Sequence, residues 1–137
     1  GDSRIVLVRD GELKLLTIDH SIVMEMYLRG QLTREQCRES RYKHLITRCL
    51  GRDESGEIDY ATLEAQPGDC VVLASDGLAD EVTEEEIGSI VSKCDGPQDV
   101  CDKLLENVLK RGANDNTTIV AIVRESNSVR SQRAAVL

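Results

Sequence analysis

Two acidic residues beside apolar runs have the type and placement needed for a metal site. Asp76, inside a Ser-Asp-Gly motif, follows the apolar run 70–74, and Asp115, inside an Asn-Asp-Asn motif, precedes the apolar run 117–123. Carboxylates at the ends of two rigid strands can face each other across a cleft. Such oxygen ligands suit hard cations, for example Mg²⁺ and Mn²⁺. The pair therefore predicts a metal-dependent reaction.

The elements that must position these carboxylates follow from apolar periodicity and turn residues. An Asp-Gly pair at 10–11 predicts a hairpin, and Thr33 and Thr83 each stand three residues before a Gln or Glu, which is typical of helix starts. Strands followed by paired helices, without a regular alternation, favour an α+β fold. The predicted strands are 4–9, 12–17, 58–65, 70–75 and 117–124, and the predicted helices are 22–29, 33–40, 83–93 and 98–110. We expect strand 70–75 to be buried on both faces because it is almost continuously apolar.

Length and composition indicate one globular domain. The chain has 137 residues, 40% of them hydrophobic, and a formal net charge of −8. This negative net charge argues against a broad surface for binding the phosphate backbone of nucleic acids. The scarcity of aromatic residues argues against a surface on which the bases of single-stranded nucleic acid would stack. We expect no membrane-spanning segment, because no apolar run approaches the required length.

Cysteine usage predicts a reducing, cytoplasmic setting. The five cysteines include no C-x-x-C pair, so neither a zinc cluster nor a disulfide framework is expected. Cys49 and Cys70 lie in apolar segments and are predicted to be core residues.

The two ends of the chain carry separate expectations. Residues 1–4 lead directly into the first predicted strand with no initiator Met, which suggests a portion of something longer. Residues 1–124 are expected to form one domain portion. Residues 125–137 are polar and without pattern, and we expect a flexible tail.

Six short motifs follow one another along the chain. They are Gly-Asp-Ser-Arg at 1–4, Thr-x-Asp-His-Ser at 17–21, Leu-Ile-Thr-Arg-Cys-Leu-Gly at 45–51, Pro-Gly-Asp at 67–69, Leu-Ala-Ser-Asp-Gly-Leu at 73–78 and Asp-Asn-Thr-Thr at 115–118. In order and spacing they resemble the metal-dependent serine/threonine protein phosphatases of the PPM, or type 2C, family. The resemblance extends from residue 1 to about residue 124, and the segment 28–36 resembles the flap of the bacterial members.

This resemblance implies a four-layer α-β-β-α sandwich, of which the chain would supply the second half, with antiparallel strands and flanking helices. It implies that Asp76 and Asp115 are ligands of a binuclear Mn²⁺ or Mg²⁺ centre, and that Asp2 helps to hold a third, weaker ion. Two divalent ions lower the pKa of a shared water and neutralise phosphoryl oxygens. The implied activity is hydrolysis of phosphoserine and phosphothreonine in protein substrates.

The chain also departs from the family pattern. The Asp-Gly-x-Gly-Gly/His motif with its bridging aspartate, a further acidic ligand and a phosphate-binding Arg have no counterpart in residues 1–137. We therefore expect this portion alone to be inactive, and to require a complementary N-terminal half. The alternatives are a non-catalytic or self-associating module with the same fold, including a homo-oligomer, and a relative acting on small phosphorylated molecules.

Each candidate residue has a plainer interpretation as well. Asp76 and Asp115 could simply end a strand or shape a turn, and Asp2 could be a solvated terminal residue. Asp19 and His20 are interpreted as a helix-cap arrangement, Asp80 as a supporting residue, and the acidic run 84–86 as a solvated helix start.

Overall fold

The computed structural model describes residues 1–51 and 57–125. Strands and helices follow one another in the order that the sequence predicts, with two exceptions: the strand predicted at 58–65 is absent, and the short helix at 76–79 was not predicted. The elements are β1 (Arg4–Arg9), β2 (Glu12–Leu15), α1 (Ile22–Leu28), α2 (Arg34–Glu39), β3 (Cys70–Ala74), α3 (Asp76–Ala79), α4 (Glu84–Val91), α5 (Pro97–Lys110) and β4 (Ile119–Val123).

The four strands form one antiparallel sheet in the order β2-β1-β3-β4. Ala74, the last residue of β3, pairs with Arg4 at the start of β1 and with Ile119 at the start of β4. The beginning of β1, the end of β3 and the beginning of β4 therefore meet at one end of the sheet. The α+β class is confirmed.

The hairpin between β1 and β2 is confirmed at its predicted turn. Asp10 and Gly11 both have positive φ, at 52° and 83°. Two consecutive left-handed residues match the right-handed twist of the flanking strands, and Asp-Gly tolerates this conformation well. Arg9 accordingly pairs with Glu12 across the turn.

One face of the sheet packs against α4 and α5. Val6 of β1 and Val72 of β3 contribute to the core, and α5 adds Val100, Leu104 and Val108, spaced four residues apart along one side of the helix. Leu104 and Val108 have no exposed surface. Burying each such side chain is worth about 1.5–3 kcal/mol, so this stripe fixes α5 on the sheet.

Three expectations about the fold are wrong. Residues 58–65 form no strand, and Tyr60 is 92% exposed, because the described residues offer this segment no partner strand. β3 is buried at Cys70 and Val72, which share one face, but only partly buried at 71, 73 and 74, so it is not buried on both faces. Cys49 is exposed, whereas Cys70 is in the core.

Some expectations fall partly outside the described residues. The tail predicted at 125–137 lies outside them apart from Glu125, and so do residues 52–56 of a charged stretch. Within the described ranges, no helix is long and apolar enough to cross a bilayer.

An ion pair between Arg9 and Asp69 stabilises the turn before β3, at the end of the sheet opposite Ala74. The Arg9 side chain donates through Nε and Nη2 to the two carboxylate oxygens of Asp69, each at 2.7 Å, and the Gln66 N–H donates to Oδ2 at 2.7 Å. The bonds from Arg9 and then from Gln66 lower the pKa of Asp69 from 3.8 to about 2. A depressed carboxyl pKa stabilises the fold above the unfolded-state value, and this contribution is lost as the pH falls from about 4 towards 2.

Asp69→Asn is expected to lower the melting temperature by roughly 5–10 °C at pH 7, because Arg9 loses its charged partner beneath the turn. Urea unfolding from pH 7 to pH 2, in the natural polypeptide that carries these residues, checks the effect. The variant should lose less stability than the wild type below pH 4, and the exposed Asp102→Asn serves as the control. Parallel pH profiles for Asp69→Asn and the wild type would contradict this assignment.

Candidate metal centre

The sheet register brings the three predicted ligands to one end. Asp2 lies two residues before β1, Asp76 directly follows Ser75 at the end of β3, and Asp115 lies on the loop that leads into β4. Because these strand ends are neighbours in the sheet, the three carboxylates share one edge of the molecule rather than opposite ends.

Asp76 is the first residue of the short helix α3, which the sequence had indicated only as a tight loop. The preceding residue, Ser75, has extended backbone and does not cap the helix with its side chain. Instead its hydroxyl donates to the Asn116 carbonyl at 3.2 Å and accepts from the Thr118 N–H at 3.1 Å. Ser75 therefore ties the start of α3 to the Asp115 loop.

Gly77 allows these two segments to touch. A Cβ at this position would lie 2.6 Å from the carbonyl oxygen of Asn116 and 2.7 Å from Oγ1 of Thr117. Any other residue would force the loops apart. The glycine that follows Asp76 thus sets the spacing between the two acidic motifs.

The two carboxylates are oriented in the same way. Oδ1 of Asp76 accepts from the Gly77 N–H at 2.9 Å, and Oδ1 of Asp115 accepts from the Asn116 N–H at 2.7 Å. Within residues 1–51 and 57–125, neither Oδ2 has a hydrogen-bond donor. Each carboxylate is thereby fixed through one oxygen while the other remains able to accept a cation or a proton.

The Asp115 loop is anchored on its other side by polar contacts to the start of α4 and the residues before it. Asn114 donates to Oε1 of Glu81 at 2.7 Å, and Arg111 donates to the two carboxylate oxygens of Glu86 at 2.6 and 3.0 Å. The Arg111 bond is the main cause that lowers the pKa of Glu86 to about 2. The acidic run 84–86 is therefore more than a solvated helix start, because Glu86 holds this loop.

Asp2 and Asp76 line one small pocket together. Burial, and next the negative charge of Asp76, raise the pKa of Asp2. Mutual repulsion of this kind is relieved by a bound cation. The acidic and basic side chains of its lining are Asp2, Asp19, Asp76, Asp80, Arg4, Arg38, Lys43 and His44.

Asp19 is neutralised by Arg4, which corrects its interpretation as a cap. Arg4 donates from Nε to Oδ1 at 3.0 Å and from Nη2 to Oδ2 at 2.7 Å, and Asp19 is buried. The cap of α1 is Ser21, whose hydroxyl accepts from the Met24 N–H. His20 instead contacts the Asp59 carboxylate at 2.7 Å.

The donor set fits a hard divalent cation in part. All three candidate ligands are carboxylates, and two of them share a pocket and repel each other. Asp115 lies on the adjoining loop and borders a different depression, beside the end of α5. Within the described ranges, no group of three or more His, Cys, Asp or Glu side chains could hold a metal ion. The donor set of the described residues is therefore smaller than a complete coordination shell.

Sequence reasoning missed two positions of this site. The motif around Ser75 gives no sign of its bonds to Asn116 and Thr118, because these depend on the pairing of β3 with β4. The sequence predicts Asp80 to be a supporting residue but does not indicate its contact with Lys43. Its spacing of four residues from Asp76 was the available signal, since such residues lie on one side of a helix.

The fold and the clustered carboxylates define the class of protein, and comparison with known proteins agrees. Residues 8–125 match the family model described as Stage II sporulation protein E (SpoIIE). The chain belongs to this family, and its resemblance to the PPM-type phosphatases is confirmed.

Individual relatives support the same assignment. A protein named putative protein phosphatase 2C-type from Streptococcus pyogenes is 40% identical over 94% of this chain and 52% of its own length. The S. agalactiae serine/threonine phosphatase has 35% identity and a TM-score of 0.83 over 90% of this chain and 51% of that one. The catalytic domain of the phosphatase PstP, solved in complex with two manganese ions, has 35% identity and a TM-score of 0.74 over 88% and 50%. The chain thus spans about half the length of the curated relatives it matches.

Proposed function

We propose that this chain is the C-terminal portion of a metal-dependent phosphatase domain that hydrolyses phosphoserine and phosphothreonine in proteins. The observation that carries the proposal is that Asp2, Asp76 and Asp115 all lie at the end of the sheet where the start of β1, the end of β3 and the start of β4 meet. The relatives named as serine/threonine phosphatases, and the neighbour that holds two manganese ions, support the reaction and the cofactor.

In this proposal Asp76 and Asp115 hold two Mn²⁺ or Mg²⁺ ions and Asp2 contributes to a third. The ions would supply an activated water and charge neutralisation for the phosphoryl group. The residues of this chain fix the geometry: Ser75 and Gly77 set the spacing of the two acidic loops, and backbone N–H groups orient both carboxylates. Rigid support of this kind keeps ligands within the tolerance that catalysis requires.

The proposed substrates are phosphorylated proteins, and the proposed setting is the cytoplasm. The segment 22–50, called the flap below, borders the Asp2–Asp76 pocket through residues such as Lys43 and His44. A substrate bound at this pocket would therefore lie beside the flap. We therefore expect the flap to influence which phosphoproteins are accepted.

Hydrolysis of a phosphothreonine peptide by the natural polypeptide that carries these residues tests the proposal. With Mn²⁺ present we expect turnover, and chelation with EDTA should abolish it, because no side chain here replaces the metal-activated water. Comparing this peptide with a small phosphoester separates a protein phosphatase from an enzyme for small molecules. Turnover that persists after complete metal removal would refute the proposed mechanism.

A second candidate function, as an interaction module, is favoured by the outer face of the sheet. Val120 and Ile122 on the edge strand β4 are 49% and 56% exposed, and they continue an apolar face formed by Val71 and Leu73. An apolar face at an open strand edge favours association with further strands. The occupant would be the complementary half of the domain or a second copy of this chain.

The same natural polypeptide separates the two functions. If it is folded, binds no Mn²⁺ and hydrolyses no phosphoester, but sediments as a dimer, the interaction module is the correct assignment. If it is a monomer with Mn²⁺-dependent turnover, the catalytic assignment holds.

A further inference from the structure

The flap contacts the turn of α3 that carries Asp76. Nζ of Lys43 donates to Oδ2 of Asp80 at 3.0 Å, and Nδ1 of His44 lies 3.8 Å from the same oxygen. Asp80 follows Asp76 by one helical turn, and its N–H donates to the Asp76 carbonyl at 2.9 Å. An ion pair thus joins the flap to the helical turn that bears a candidate ligand.

The carboxylates around the Lys43–Asp80 ion pair are only partly neutralised. Of the four carboxylates that line the Asp2–Asp76 pocket, Asp19 is paired with Arg4 and Asp80 with Lys43. Within residues 1–51 and 57–125, no Lys, Arg or His nitrogen lies within ion-pair distance of Asp2 or Asp76. Arg38 and Lys43 of the flap both line this pocket, and among the described residues Lys43 is the one of the two that forms an ion pair with a carboxylate there.

We propose that Lys43 is a positioning residue that holds the flap against α3, and that this hold competes with divalent-cation binding at Asp2 and Asp76. A divalent cation in the pocket would repel the Lys43 ammonium, and both would be attracted to the same carboxylates. Coupling between two binding events is reciprocal, so flap contact must weaken cation binding by the factor by which the cation weakens flap contact. Flap position and cation occupancy are then linked.

The proposal rests on the metal site of the proposed function, and its test separates the two. Lys43→Gln keeps a polar, unbranched side chain that is one atom shorter and removes its charge. In the metal-free natural polypeptide it should speed amide hydrogen exchange in residues 22–50 by roughly two- to fivefold, the range expected for loss of a partly exposed ion pair. It should also tighten binding of one equivalent of Mn²⁺ by roughly fivefold, measured by calorimetry.

Two matched variants control the experiment. Lys43→Arg keeps the charge and should retain wild-type flap exchange and Mn²⁺ affinity. Lys103→Gln removes a lysine from another close ion pair, with Asp99 on α5, and should leave both measurements unchanged.

Each outcome decides one claim. Unchanged flap exchange in metal-free Lys43→Gln overturns the positioning role, whether or not metal binds. Unchanged Mn²⁺ affinity of this variant, with normal binding by the wild type, overturns the coupling. Absence of Mn²⁺ binding by the wild type overturns the proposed function and the coupling, while the exchange result still decides the positioning role.

Discussion

Replacing Asp76 by Asn is expected to lower phosphopeptide turnover by roughly 10²–10³-fold in the natural polypeptide that carries these residues. The amide keeps the shape of the side chain and its acceptor for the Gly77 N–H, but it loses the negative charge that a cation requires. The loss should therefore appear in Mn²⁺ affinity as well as in kcat. Steady-state kinetics and calorimetric Mn²⁺ titration measure both quantities.

Asp10→Asn is the matched control for this variant. Asp10 lies in the hairpin turn at the opposite end of the sheet, and its φ of 52° suits Asn, which adopts the left-handed region readily. Turnover and melting temperature should stay at wild-type values. If Asp76→Asn keeps its fold, its Mn²⁺ affinity and its turnover, then Asp76 is no metal ligand and the proposed centre is wrong.

Gly77→Ala is expected to reduce both stability and turnover. Its Cβ would press against the Asn116 carbonyl oxygen at 2.6 Å, and backbone cannot swing aside as a flexible side chain could. Overpacking of this kind costs about 1–3 kcal/mol. Relief requires the Asp115 loop to move away from α3, and a displacement of about 1 Å between catalytic groups can reduce turnover by roughly 10²-fold. Denaturant unfolding and phosphopeptide kinetics test the two effects together.

Gly96→Ala provides the comparison. Gly96 has extended backbone with φ at 178°, and a Cβ there would meet nothing within 4 Å. We expect its stability to stay within ~1 kcal/mol of wild type and its turnover to be unchanged. A Gly77→Ala protein as stable and active as Gly96→Ala would show that the contact between the two acidic loops is dispensable.

The sequence predicted the elements whose signals are local. Asp10-Gly11 specified the hairpin, and the capping boxes begun by Thr33 and Thr83 specified the starts of α2 and α4. The apolar stripe predicted for α5 is buried at Val100, Leu104 and Val108 but not at Leu105, which is 41% exposed. Each of these signals depends on residues within a few positions of one another, so no knowledge of the fold was needed.

Local signals failed where a partner decided the outcome. Residues 58–65 have the alternation of a strand but remain irregular, because a strand requires a neighbour to accept its hydrogen bonds. Asp19 has the features of a helix cap, but its carboxylate instead accepts two hydrogen bonds from the guanidinium of Arg4, fifteen residues away in the sequence. In the first case the lack of a partner strand among the described residues, and in the second a contact distant in sequence, outweighed the local structural preference of the segment.

By itself, the sequence determined which residue types were available for the site: three aspartates beside apolar segments, in motifs that resemble those of a phosphatase family. The tertiary structure decided how these aspartates are arranged. Strand register brings Asp2 and Asp76 into one pocket, and the absence of a Gly77 side chain lets the Asp115 loop pack against α3. Convergence of side chains separated by dozens of residues depends on sheet pairing and close packing, and neither is encoded in the pattern of any single segment.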